Sequence, residues 1–296
     1  MSDPSKQILH AQFDGAWHPD VSIPDQGTKT TPGLAPLNDQ LHMVHVGEDS
    51  NLLWHSVFDA NLNQWTTNID IPNQLSRAQP ALAQFRGQLH MVHIGDTSNH
   101  LWHSVFDGTK WSENVSIPNQ LSQAPPALAE FDGALHMVHI GDSSHQIWHS
   151  VFDGEVWVPN VKIPNHSSKE TPALAVFNDG LHMVHSGDVS THLWHSTFHD
   201  NNWEADTQII DHESRKAPAI AALGTRLHLV YIGAPTEIGE QPKEDISYSS
   251  FDGNFWTSPV PPQGYQSREA PALAMSGQKL HMLHIPPTPP TPPSQK

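Results

Sequence analysis

Histidine is the residue type that first suggests chemistry in this chain. There are 23 of them, and 16 recur at three repeated positions: His42, His90, His136, His182, His228 and His281; then His45, His93, His139, His185 and His284; then His55, His103, His149, His195 and His10. Imidazoles paired on adjacent strands can ligate zinc or copper. Such a site needs a third and a fourth ligand, however, and no Asp or Glu recurs beside these positions. The expected role is hydrogen bonding between neutral, buried imidazoles, with no metal and no other cofactor. Burial of that kind depresses the histidine pKa values, so acid is expected to destabilise the fold.

A second set of residues has the composition of a sugar site. Glu48, Asp96, Asp142 and Asp188 each follow a glycine in a short loop, and Trp54, Trp102, Trp148 and Trp194 follow a few residues later. Lys29, Arg77, Lys169, Arg215 and Arg268 each follow a Ser or Thr, with Gln123 in the remaining copy. A carboxylate and a cation can bind vicinal hydroxyls while an indole covers the apolar C–H side of a ring. The structural alternative is that the acids cap turns, the cations form solvated ion pairs and the tryptophans are core. There is no G-x-S-x-G, no H-E-x-x-H and no Gly-rich phosphate loop. The acids recur in turns instead of forming the one asymmetric carboxylate constellation a glycosidase needs, so no catalytic step is expected.

The elements that must position these residues repeat with the residues themselves. Leu-His-Met-Val-His occurs at 41–45, 89–93, 135–139 and 181–185, with variants at 227–231 and 280–284. A period in the mid-forties is that of a propeller blade or a helical pair. Each unit reads as four short runs, such as PALAQF, QLHMVHIG, HLWHSVFD and W-x-x-N-V-S-I-P, separated by Phe-Asp-Gly or its relatives. These are strands, here labelled A to D, joined by tight turns that need a positive-φ residue. The chain opens with a C-type and a D-type run and closes with an A-type and a B-type run. The expected fold is therefore all-β: a six-bladed β-propeller over residues 1–285, one blade stitched from both termini, followed by a Pro-rich tail at 286–296. Closure of this kind removes exposed sheet edges.

If the B–C hairpin is centred on Ser98, His93 faces His103, and likewise His45 faces His55, His139 faces His149 and His185 faces His195. Tyr231 and Tyr248 would then replace one pair jointly, and His284 would face His10. Trp17, Trp65, Trp111, Trp157, Trp203 and Trp256 begin D strands and are expected to be core. The B–C loops and D–A connections open at one end, which would gather acid, cation and indole in clefts between blades. Two blades lack the full set: the fifth has Ser247 in place of Trp and an insertion at 234–245 that suits a protein contact, and the split blade has Leu9.

Composition narrows the partners. The 31 acidic residues outnumber 14 basic ones for a formal charge of −17, which argues against nucleic acid and anionic membrane surfaces. No cysteine is present, so disulfides and thiolate chemistry are excluded. The N-terminal residues show no secretory signal, so a soluble protein is expected, in the cytoplasm or exported by a non-classical route.

The repeat, with its Trp-bearing strands and split-blade closure, resembles the β-propeller lectins, in particular the fucose-specific lectins and the tachylectin-like bacterial propeller lectins. That resemblance implies a carbohydrate-binding protein with several equivalent glycan sites, cell-surface saccharides as partners, and a role such as haemagglutinin or toxin-associated lectin. The alternatives are a protein–protein scaffold using one propeller face and, behind it, a metal-dependent or hydrolytic propeller enzyme. Homo-oligomerisation is left open.

Overall fold

Every B strand is buried on both faces and so needs cover on both sides. In the computed structural model, which describes residues 6–234, 244–262 and 264–287, neighbouring sheets supply it. Strand A (Gly33–Leu37 in blade 1) lies innermost, then B (Gln40–Val46), C (Leu52–Asp59) and D (Ile69–Leu75). Each A strand packs beside the A strands of the two neighbouring blades, and the last meets the first, so six blades close a ring around a narrow channel. The blade junctions hold apolar clusters of their own, such as Val92, Ile94 and Leu101 of blade 2 against Leu135 and Met137 of blade 3, all fully buried. Burial of a side chain of this size stabilises by roughly 1.5–3 kcal/mol.

The sixth blade is the stitched one. Its sheet runs D (Val21–Gly27), C (Gln7–Phe13), B (Lys279–His284), A (Ala272–Ser276), with Leu9 opposite His284 and Phe13 opposite Leu280. Blade 5 departs from the four-strand pattern. It has three strands, and Val260 makes only an isolated bridge to Tyr248 where the fourth would run. Prolines 259, 261 and 262 account for this, since proline cannot donate to a ladder. The Pro-rich tail from residue 288 and the insertion from 235 to 243 lie outside the described residues.

The B–C register differs from the expectation by one residue. Gly95 N–H donates to His100 O at 3.0 Å, closing an even-numbered loop, so Trp102 lies opposite His93 and His103 opposite Val92. A one-residue shift moves side chains to the other face of the sheet. His103 therefore meets His90, not His93, with the rings stacked and His90 Nδ1 at 2.9 Å from His103 Nε2. The same pairing joins His42 to His55, His136 to His149, His182 to His195 and His281 to His10. Tyr231 and Tyr248 are not opposed either: Tyr231 faces Ser247, and Tyr248 hydrogen-bonds His228 at 2.7 Å.

The tryptophans expected to begin D strands stand just before them. Trp111 bridges Phe106, and the D strand resumes at Val115. Each indole reaches back across the junction to the preceding blade. Trp157 Nε1–H donates to His103 Nδ1 at 3.2 Å, Trp111 to His55 at 3.3 Å and Trp65 to His10 at 3.2 Å. An acceptor at Nδ1 places the proton of His103 on Nε2, which donates to His90. His90 in turn carries its proton on Nε2. In the equivalent position His182 donates to Phe177 O at 3.0 Å and His281 to Ser276 O at 3.2 Å. At two junctions, through Trp65, His10, His281 and Ser276 O and through Trp256, His195, His182 and Phe177 O, the result is an ordered relay from indole to imidazole to imidazole to carbonyl, whereas Trp203 Nε1 and His42 Nε2 have no hydrogen-bond partner among the described residues. Where Tyr248 replaces the second imidazole, Trp17 Nε1 has no hydrogen-bond partner among the described residues.

The D strands carry a local device of their own. Pro118 is followed by Asn119 at φ 58°, and Asn73, Asn165, Asp25 and Asp211 share that left-handed backbone, which Asn and Asp tolerate best after glycine. The ladder shifts register there, and the next side chain turns inward: Gln74 donates to Ser112 O and accepts from Ser104 Oγ, both at 2.9 Å. One residue thus pins two blades while proline blunts the outer edge.

The relay requires neutral imidazoles. Burial, reinforced by the partner imidazole, lowers His55, His103, His149 and His195 to about 3, and burial lowers His42, His90 and His281 to about 4. These values lie below the ordinary imidazole value of about 6.5, so the stability they permit is complete above that pH. It is lost as pH falls, because the unfolded chain takes up protons that the fold refuses. Each such group forfeits about 1.4 kcal/mol per pH unit, so denaturant midpoints are expected to fall steeply between about pH 6.5 and 5; a flat profile would sink the relay. His103→Ala, which strands the Trp157 N–H, is expected to destabilise by about 2–4 kcal/mol in urea melts at pH 7.5.

Candidate functional site

At the end where the B–C loops open, the connection from one blade docks on the loop of the next: Thr28 bridges Gly47, Ser76 bridges Gly95 and Ser122 bridges Gly141. This brings together the acid, cation and indole anticipated from sequence. Trp102 folds back under its own loop so closely that a Cβ at Gly95 would lie 3.0 Å from its Nε1 and 2.9 Å from Ser98 Oγ. Glycine before the acid is therefore a packing requirement. Trp54 and Trp148 sit in the same way against Gly47 and Gly141, and Trp54, Trp102, Trp148 and Trp194 are all half-buried.

Two of the cations hold their loops. Arg77 donates to Gly95 O at 3.0 Å, to Ser98 O, and to Asn99 Oδ1 at 2.7 Å. Lys29 donates to Asn51 Oδ1, and Gln123, in the copy without a cation, donates to Ser144 O at 2.9 Å. Lys169 lies in the connection entering blade 4, beside the half-buried Glu170. Arg215 enters blade 5, where its backbone N–H donates to Ile232 O at 3.1 Å. Arg268 enters the split blade, its backbone N–H donating to Ile285 O at 3.0 Å. Of the acids, Asp96 and Asp188 are half-buried and Asp142 is exposed. Glu48 packs its carboxylate against Gly27, with Oε2 buried and unpartnered among the described residues.

A different recurring feature opens at the other end of strand C. Between blades 6 and 1, blades 3 and 4, and blades 4 and 5, the start of one D strand and the C–D turn of the following blade enclose clefts of about 750, 440 and 430 Å³. These volumes fall in the range of about 300–1,000 Å³ usual for small-molecule sites. Each has an indole wall (Trp65, Trp203 or Trp256) whose N–H side faces the histidine relay. Each adds carboxamides from the C–D turn: Asn63 and Gln64, Asn201 and Asn202, or Asn254. Val21 and Val161 line two of them and are 61% and 67% exposed, and Ile69, Val115 and Val260 at the equivalent positions are also exposed. A branched apolar side chain left open to water in five blades is an unusual repetition. The V-S-I-P string carried this signal in the sequence, where it reads simply as a strand.

The second-position histidines tie strand B to the segment that precedes strand D in their own blade. His93 Nε2 meets Asn114 Oδ1 at 3.2 Å, and Asn160 meets His139 at 2.9 Å. In blade 4 the partner is a carboxylate: Asp206 Oδ1 lies 3.0 Å from His185 and 3.1 Å from His166 of blade 3. Burial works against the charge on Asp206, but the two imidazole hydrogen bonds outweigh it and hold the carboxyl at about 2. His284 makes the corresponding pair with Asp20 at 3.0 Å, joining the C-terminal strand to the N-terminal segment. Among the described residues no group of three or more His, Asp or Glu is arranged to hold a metal ion.

No family model matches the chain, and no curated protein does. Solved structures do. A fungal lectin from Aleuria aurantia, described as a six-bladed β-propeller with a novel fucose recognition mode, superposes with a TM-score of 0.61 at 13% identity, over 90% of this chain and 98% of that one. YjhT superposes at 0.63 and 13% identity, covering 87% and 91%. The SapL1 lectin, solved with α-methyl fucoside, superposes at 0.58 and 11% identity, covering 82% and 83%. At these identities the likeness establishes the fold: the chain is a six-bladed β-propeller similar in architecture to fucose-binding lectins.

Proposed function

We propose that this protein binds carbohydrate at several junctions between its blades and carries out no chemical step on it. The observation that carries this reading is the repetition of one cleft type at three junctions, each with an indole wall and turn carboxamides, and two of them with an open valine. A pyranose offers apolar C–H groups on one face and hydroxyls at its edge, and this lining matches both. Fold neighbours whose descriptions name fucose support the ligand class. Repeated sites on one rigid wheel would engage clustered cell-surface glycans with avidity, the property of a haemagglutinin.

The outer clefts suit this role better than the loop set of Arg77, Asp96 and Trp102 and its counterparts. The guanidinium of Arg77 already donates to its own loop, and a ligand there would have to displace those bonds. Lys29 and Gln123 are engaged in the same manner.

Calorimetric titration with a panel of monosaccharides is expected to show millimolar or tighter binding with more than one site per chain. Absence of binding to every sugar on the panel would end the proposal. Lys162→Ala and Asn202→Ala, both in the cleft between blades 3 and 4, are expected to remove one site each time without altering thermal stability. Arg77→Ala is expected to lower stability by about 1–3 kcal/mol through the freed loop carbonyls while leaving sugar affinity unchanged; the opposite pattern would return the site to the loops.

A further inference from the structure

The aspartate of the C–D turn has a fixed duty in four blades. Asp59 accepts the N–H groups of Asn61 and Leu62 at 2.9 and 3.1 Å, and Asp107 those of Thr109 and Lys110 at 2.8 and 2.9 Å. Asp153 and Asp252 cap their turns in the same way. Asp14 occupies this position in the split blade, but its turn is shorter: Trp17 follows Phe13 by four residues, where Trp111 follows Phe106 by five. Its carboxylate turns outward instead. Oδ1 meets His18 Nε2 at 2.7 Å and Oδ2 lies 3.4 Å from Lys279 Nζ. The His18 hydrogen bond, helped by Lys279, holds the Asp14 carboxyl below the usual range, so it is ionised.

All three groups line the cleft between blades 6 and 1, the one of about 750 Å³, together with Gln12, Gln64 and Trp65. Asp14 and His18 belong to the N-terminal segment, Lys279 to the C-terminal strand, and Gln64 and Trp65 to blade 1. The ring closes here without a covalent link, by the pairing of Gln7–Phe13 with Lys279–His284.

We propose that this cleft is the principal saccharide site of the protein and that a sugar bound in it locks the two ends of the polypeptide together. The inference rests on the glycan reading above and adds a location, a donor–acceptor set and a consequence. A vicinal diol can donate to the Asp14 carboxylate and accept from the Lys279 ammonium at once, and charge-assisted bonds of this kind are about twice as strong as neutral ones. Gln64 supplies a further polar contact at the edge beside the Gln12–Asn63 amide pair, and the Trp65 ring covers the C–H face. Because the closed ring alone presents both Asp14 and Lys279, ligand at about a hundred times its Kd suppresses opening of the terminal strands about a hundredfold.

The test uses the full chain with methyl α-L-fucoside, methyl β-D-galactoside and N-acetyl-D-glucosamine, read by calorimetry and by amide hydrogen exchange of residues 7–13 and 279–284. One of these sugars is expected to protect both strands. D14N and K279A are each expected to lose about tenfold or more in affinity at the tightest site, along with the protection. D107N, at the equivalent turn of blade 2, is expected to bind as the wild type does. If the wild type binds a sugar but both variants keep its affinity, or if binding leaves the terminal strands unprotected, this proposal is overturned and the glycan reading stands. If the wild type binds none of the three, both fall.

Discussion

The blade junctions bury indole N–H groups and imidazole nitrogens in otherwise apolar seams, and at four of them the indole is satisfied by a histidine of the preceding blade. A buried polar group without a partner costs on the order of 1–3 kcal/mol. The Trp157, His103, His90 relay meets that demand with neutral groups alone. It also sets the geometry between sheets. The indole of one blade reaches the histidine of the blade before it only at a given rotation, and Phe152 closes the contact edge-on against His103 with ring centroids 5.0 Å apart. Apolar clusters supply the bulk of the attraction between blades, but they are tolerant of sliding. The directional bonds make the wheel rigid.

This rigidity bears on function. The clefts are formed by parts of two blades and exist only because the angle between sheets is held. Trp65 and Trp256, which bond histidines of the preceding blade, also form cleft walls, so the histidines, which look from sequence like candidate ligands for a metal, position a binding surface there. The inward Gln74 and its counterparts pin the same seam further out. At two seams the carboxamide partner of the second-position histidine becomes a carboxylate, Asp206 and Asp20. One of these lies within the split blade, where Asp20 stands 3.0 Å from His284 of the C-terminal strand.

The loop residues illustrate a different lesson. Arg77 and Trp102 both pack on the loop that carries Asp96. That packing comes with internal bonding: the guanidinium holds loop carbonyls and the indole lies under glycine. Repetition in a propeller marks whatever every blade needs, and a stapled loop is needed as much as a ligand contact. The exposed Val21 and Val161 carried the stronger hint of a surface with a purpose, yet within a V-S-I-P string a valine gives no sign of which side of the strand faces water.

The sequence alone determined the number of blades, the order of strands within them and the stitching of the last from both termini, because those follow from a repeat period and from runs that local pattern defines. It also placed the B–C loops and the D–A connections at one end of the wheel. Register, and with it the partner of every histidine, was decided by the tertiary structure: a single residue of loop length exchanges the two faces of a strand, and nothing in the LHMVH and LWHS strings distinguishes His90 from His93 as the mate of His103. The outer clefts lie equally beyond sequence, since their walls come from separate blades and their width depends on the angle at which the sheets meet.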